Sequence, residues 1–263
     1  MNIFQELRNE IMQTSQNTHK DRAVLNSLVE FFRNDEYANS FSQFRKISIE
    51  GLIESKTFMC DEDFDFHSMP VEFKDERLGF VTYRNGHLIP LFAGKYVFPI
   101  QDNRHNVAGL VGYNATYEKD GGSKYFDSKN IGYRAKHTTF YGMENLPEYY
   151  ESNHIFVTEG VICTHVLRDT KLNAVSVLGS MLSPYVSEIF KRFENRCIFI
   201  VDSDEAGFKF ATQIKRVCPL SRIIHFINGK DVDEARFHST QVLEELTDYA
   251  KNRYKHYKTF RII

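Results

Sequence analysis

The sequence predicts an α/β fold, α+β over the whole chain, with a parallel sheet flanked by helices in its second half. Two observations predict it. From residue 154 onward, short apolar β-branched runs alternate with helix-length segments, the pattern of βα repeats with right-handed crossovers. Before that point the texture differs. Helical periodicity runs to about residue 60, followed by short β-rich runs separated by turn clusters, which reads as antiparallel strands.

Along the chain, Ile3, Phe4, Leu7 and Ile11, and then Leu25, Leu28, Val29 and Phe32, recur at three- and four-residue steps, predicting amphipathic helices. The stretch 61–76 is acidic and broken by Pro70, which predicts a loop or short connecting piece. Gly79–Tyr83, Tyr96–Ile100 and Val107–Tyr113 are the candidate antiparallel strands. They are punctuated by Asn85-Gly86, Asp102-Asn103-Arg104 and Asp120-Gly121-Gly122. Ile155–Thr158, Ala174–Leu178, Cys197–Val201 and Arg222–Ile227 are the candidate parallel strands, and Ser183-Pro184 offers a helix N-cap with proline at the first helical position. Val242, Leu243 and Leu246 form one face of a last helix. The expected organisation is an N-terminal subdomain over 1–150 (helical 1–77, basic and β-rich 78–150), an α/β domain over 151–236, and a C-terminal helix with a basic tail over 237–263.

Bulk properties exclude several classes. A net charge of −2 gives no global attraction for polyanions, so any such site is a local patch. Between Gly86 and His137 there are seven Lys or Arg against four acids. From Tyr249 to Ile263 there are five Lys or Arg, four aromatics and no acid. That tail reads as a basic amphipathic helix end or a contact for nucleic acid or a partner. Cys60, Cys163, Cys197 and Cys218 lack any CxxC spacing, which argues against a zinc ribbon and a disulfide framework and fits a reducing, cytoplasmic setting. No apolar run reaches the roughly 20 residues of a membrane span, and no signal peptide is visible. His154, His165, His225 and His238 lack a ligand spacing and read as structural.

The chemistry concentrates after the parallel strands. Glu159-Gly160 follows the first, Asp202-Ser203-Asp204-Glu205-Ala206-Gly207 the third, and Gly229-Lys230-Asp231-Val232-Asp233-Glu234 the fourth, while the second ends in Gly179-Ser180. Ligands of such sheets bind at the carboxyl ends of the strands. Taken alone, Asp202–Asp204 fits a turn in which Asp204 caps the following helix. Three acidic sites on one sheet edge would repel each other unless a divalent cation neutralises them, and hard oxygen ligands select Mg²⁺ or Mn²⁺ over zinc. Such a cluster suits phosphoryl or nucleotidyl transfer. The later ligand positions of an EF-hand are missing.

In order and spacing, Thr158-Glu159-Gly160, Leu178-Gly179-Ser180, Val201-Asp202-Ser203-Asp204-Glu205-Ala206-Gly207 and Gly229-Lys230-Asp231-Val232-Asp233-Glu234 resemble the motifs of the TOPRIM fold, and within it the DnaG-like primase branch. Lys95-Tyr96-Val97-Phe98-Pro99-Ile100-Gln101-Asp102 and Val107-Ala108-Gly109 resemble strands of the same primase cores and Lys124-Tyr125-Phe126-Asp127-Ser128 their K-Y-L-N-S segment, with Lys136 and Tyr141-Gly142 following without a gap. The resemblance covers roughly residues 90–236. It implies that Glu159, Asp202 and Asp204 bind catalytic Mg²⁺ or Mn²⁺, with Asp231 and Asp233 holding further ions or contacting the nucleotide. It further implies that the N-terminal subdomain binds nucleic acid, with Lys95, Lys124, Tyr125 and Lys136 lining a groove for template, primer and triphosphate. Physical logic agrees, since lysines meet phosphates and a tyrosine offers a stacking face.

Cys163 stands where the branch carries an acid, and Tyr113 where it carries an arginine. Residues 1–59 contain no cysteine, so no zinc module is expected, and no helicase-docking bundle fits in 237–263. The expectation is therefore a pared-down core, suited to a phage or mobile element and working in the host cytoplasm if viral. Its expected partners are single-stranded DNA and NTPs, with a replicative helicase or a separate zinc-domain protein as candidates. A TOPRIM nuclease and a non-catalytic protein binding single strands or a helicase are the alternatives.

Overall fold

Leu25, Leu28, Val29 and Phe32 are all buried, and the helical spacing that brings them to one face builds α1 (20–32), the first helix among the described residues. The structure, a computed structural model, describes residues 20–120, 123–127, 135–149, 151–251 and 257–263. The side chains of Glu118, Asp120, Asp127, Ala135 and Lys136 fall outside it. The expected periodicity of Ile3, Phe4, Leu7 and Ile11, the Gly121-Gly122 turn, Ser128 and tail residues 252–256 also lie outside the described residues. Two units follow, one from residues up to Phe41 together with Ile53–Ala135, the other from Ser42–Leu52 together with Lys136–Ile263.

In the first unit, α1 and the greater part of α2 (Asp35–Arg45) precede a four-stranded antiparallel sheet of order β1-β4-β5-β6. Its strands are β1 (Phe58–Cys60), β4 (Lys95–Gln101), β5 (Val107–Tyr113) and β6 (Tyr125–Asp127). The hairpin β2 (Val81–Arg84) to β3 (His87–Pro90) pairs separately. Asn85 and Gly86 both take positive φ there, 52° and 78°, as a tight two-residue hairpin turn requires. The stretch expected as a loop is three short 3-10 turns, Phe66–Ser68, Val71–Lys74 and Glu76–Leu78. Their Phe66, Phe73 and Leu78, with Met69 between, are buried with α1 and the sheet in one aromatic-rich core. A short helix α4 (Tyr117–Asp120) links β5 to β6.

The second unit starts with the end of α2 and most of α3 (Ile49–Glu54), then resumes with α5 (Ala135–Thr138) and α6 (Leu146–Tyr149). Its strands are β7 (Ile155–Thr158), β8 (Ala174–Ser176), β9 (Cys197–Ile200), β10 (Arg222–Phe226) and β11 (Phe260–Ile262), in order β11-β10-β9-β7-β8. The first four are parallel neighbours, as the alternating sequence predicts. The fifth strand, which the sequence did not suggest, adds antiparallel to β10. Helices α7 (Val161–Asp169), α8 (Pro184–Lys191), α9 (Glu205–Val217), α10 (Val232–His238) and α11 (Gln241–Lys251) connect them. Ser183 caps α8, accepting from the Val186 N–H at 3.1 Å. Val157, Phe199, Val201, Phe190 and Phe210 are among the buried residues of this core. No helix among the described residues is long and apolar enough to cross a membrane.

Strand order fixes where a site can form. The chain runs from β7 outward to β8, then crosses back to place β9 on the other side of β7. Loops leaving β7 and β9 therefore diverge in opposite directions, opening a crevice at their carboxyl ends.

Candidate active site

Glu159 leaves β7 and Asp202 leaves β9, the two strands flanking that switch point. The Asp202 N–H donates to Glu159 Oε1 at 2.9 Å, so the sheet topology itself brings these groups together. The Gly179 N–H donates to the Glu159 carbonyl at 2.9 Å, tying the loop after β8 to the same place. Asp204 caps α9, accepting from the Gly207 N–H at 2.9 Å. Gly207 is required there, because a Cβ would lie 2.0 Å from the Asp202 carbonyl oxygen. Asp231 caps α10 in the same manner, accepting from the Glu234 N–H at 2.9 Å.

Burial and mutual repulsion set the electrostatics. Burial, then the negative charge of Asp202, raises Glu159 to about 7. Burial, then the charge of Asp231, raises Asp202 to about 6. Asp204 is held below its ordinary value by the Gly207 N–H and by Lys230. The Lys230 ammonium lies 3.3 Å from Asp202 Oδ2 and 2.9 Å from Asp204 Oδ2.

Asp233 is not part of this cluster. It is 2% exposed, and its two oxygens pair with Arg45 and, at 2.8 Å, with Arg236. Cys163, at the position where the resemblance carries an acid, is buried in α7, whose residues 161–167 are all buried. His165 is buried on the same helix, hydrogen-bonded to the Tyr141 hydroxyl at 2.7 Å, and burial lowers it to about 3.

In the first unit, Lys95, Lys124 and Tyr125 come to one end of the four-stranded sheet, where Tyr96 pairs with Tyr113 and Tyr113 with Tyr125. The Lys95 ammonium sits 4.7 Å from the Phe126 ring centre, and that of Lys124 5.7 Å and 5.8 Å from Tyr117 and Tyr125. Tyr113, in place of the arginine, is a core residue packed on Phe41 and Tyr125. The Lys136 side chain lies outside the described residues.

Residues 156–236 match the family described as Toprim-like. The DNA primase of Buchnera aphidicola subsp. Acyrthosiphon pisum is 30% identical over 176 residues, covering 64% of this chain and 30% of that protein. The DNA primase of Helicobacter pylori strain J99 is 23% identical over 229 residues, covering 81% of this chain and 40% of that protein. Among solved structures, the DnaG primase catalytic domain bound to single-stranded DNA superposes with a TM-score of 0.74 at 19% identity, covering 91% of this chain and 80% of the other. The Escherichia coli primase catalytic core gives 0.69 at 20% identity, covering 88% and 83%. The chain has the fold of a DnaG catalytic core. Its Toprim-like module holds β7 to α10, and with them every carboxylate considered above. The chain spans well under half the length of the two primases named.

Whether a divalent cation suits the site follows from the donor set. Glu159, Asp202 and Asp204 are hard oxygen donors of the kind Mg²⁺ and Mn²⁺ prefer, and two of them are held at a cost as anions. A cation would relieve that cost. Among the described residues no group of three or more His, Cys, Asp or Glu side chains is placed so as to hold a metal ion by itself. A cation here would have to take its remaining ligands from water and substrate.

Proposed function

We propose that the chain is the catalytic core of a DNA primase, joining ribonucleotides on a single-stranded DNA template with Mg²⁺ or Mn²⁺. The observation that carries this reading is the meeting of Glu159 with Asp202 at the switch point of a DnaG-core fold. Glu159, Asp202 and Asp204 would hold the metal, and Asp231, whose charge acts on Asp202, would adjoin it. Bound there, the metal would polarise the α-phosphate and lower the pKa of the attacking hydroxyl.

The chain's own residues do the positioning. The Asp202 N–H orients the Glu159 carboxylate, and the cap to Gly207 orients that of Asp204. Asp233, bound to two arginines, would steady α10 instead of reaching substrate. In the first unit, Lys95 and Lys124 would meet template or triphosphate oxygens and Tyr125 would stack on a base. Lys136 is proposed with them on the resemblance alone. A helicase or a separate zinc-domain protein is the proposed partner, in a cytoplasmic setting.

The test is primer synthesis on single-stranded DNA with labelled NTPs and Mg²⁺ or Mn²⁺, comparing the native chain with Asp202→Asn. Short labelled oligonucleotides should form and fall by at least about 100-fold in the variant. Cleavage of a labelled strand without NTPs would move the reading to a nuclease. Binding without chemistry, equal in both proteins and unchanged when the partners are added, would make it an accessory protein.

A further inference from the structure

Lys230 stands within the acidic site, and the reading above leaves it without a role. Its backbone is fixed on both sides. The Lys230 N–H donates to the Glu234 carboxylate at 3.0 Å, and its carbonyl accepts from the Ser203 N–H at 2.7 Å. Gly229 before it has φ +93°, and a Cβ there would lie 2.6 Å from the Ala235 nitrogen. The loop therefore presents position 230 in a set direction. The side chain is a flexible four-carbon stem ending in a point charge, and it is about half exposed. Its ammonium reaches one oxygen each of Asp202 and Asp204. Both carboxylates belong to the set a divalent cation would use. An ammonium and a divalent cation cannot share those oxygens without strong like-charge repulsion.

We infer that Lys230 is an exchangeable counter-cation: it neutralises Asp202 and Asp204 before metal loading, yields them to the metal, and then turns to the triphosphate of the incoming nucleotide. This rests on the metal-binding reading of the site. A rigid backbone and a mobile stem suit such an exchange, because the carboxylates stay in place while the ammonium moves. Removing the ammonium should therefore have two opposite effects. It frees carboxylate oxygens for the metal, and it deletes a cation from the nucleotide's side. A lysine that merely held the site together would give the reverse sign for the first effect, since its loss would loosen the carboxylates and weaken metal binding.

The experiment is calorimetric titration of the full chain with Mn²⁺, and with ATP at saturating Mn²⁺, for the native protein, Lys230→Met and Lys230→Arg. The methionine variant should bind Mn²⁺ about tenfold more tightly and ATP about tenfold more weakly, with arginine restoring the ATP affinity. Equal or weaker Mn²⁺ binding by the methionine variant, with the native chain binding normally, overturns the inference alone. An unchanged ATP affinity overturns the transfer to phosphate. No Mn²⁺ binding by either protein overturns the metal reading and this inference with it.

Discussion

At the residue scale, Glu159 shows how a fold can hold an acid in the form its chemistry does not want. Its carboxyl is raised to about 7 and that of Asp202 to about 6, from ordinary values of 4.5 and 3.8. The folded chain thus binds these protons more tightly than the unfolded chain does. Stability from that source is fully present below the unfolded values and is lost as pH rises through about 6 and then 7. Asp204 is shifted the other way and acts only at more acidic pH. In metal-free buffer the melting temperature should fall between about pH 5 and about pH 8. Glu159→Gln should flatten that fall and melt above the native chain at the upper end. Added Mg²⁺ should flatten it in the native chain and not in the variant. Parallel pH profiles for the two proteins would show that Glu159 is not the group responsible.

At the element scale, the two aspartates of the last acidic motif have parted company. Asp231 is a helix cap next to the acidic site. Asp233, one half-turn on, pairs with Arg45 and Arg236, and Arg236 also donates to the Lys46 carbonyl at 2.8 Å. The end of α2 is thereby clasped onto α10, with Ser48 donating to Asp169 at 2.8 Å as a second tie. Nothing local in the sequence signals this pairing, because Arg45 and Asp233 lie at opposite ends of the chain. The acidic motif reads as one unit only until the partner of each carboxylate is known. The parallel strands were legible, even the three-residue β8, because each is a buried apolar run set between helix-length segments; β1, β6 and β11 are as short and have no such alternation around them. Asp233→Asn would leave two largely buried guanidinium groups short of a counter-charge. It should cost about 3–5 kcal/mol in urea denaturation, whereas Asp204→Asn keeps a competent cap and should cost under about 1 kcal/mol. Equal costs would mean that the clasp does not hold the unit together.

At the scale of the whole molecule, a net charge of −2 means that a polynucleotide is not drawn to the chain as a whole. Binding of the kind proposed would come from a few cations placed on one surface, and the sequence puts the candidates in a basic stretch with tyrosines interleaved. What it could not mark was that Lys95, Lys124 and Tyr125 share one end of a sheet, since that depends on the register of β4, β5 and β6. Few phosphate contacts imply a shallow salt dependence. Each contact to a single strand adds about −0.7 to the slope of log K against log salt, so two to four contacts give a slope between about −1.4 and −2.8. Lys124→Ala should make the native slope shallower by about 0.7 and weaken binding alike for every sequence. Tyr125→Ala should weaken binding by about 1–3 kcal/mol through lost stacking and leave the slope alone. Fluorescence anisotropy of a labelled single strand over a salt series separates the two. A native slope far steeper than −2.8, or one that Lys124→Ala does not change, would place the nucleic-acid surface elsewhere on the molecule.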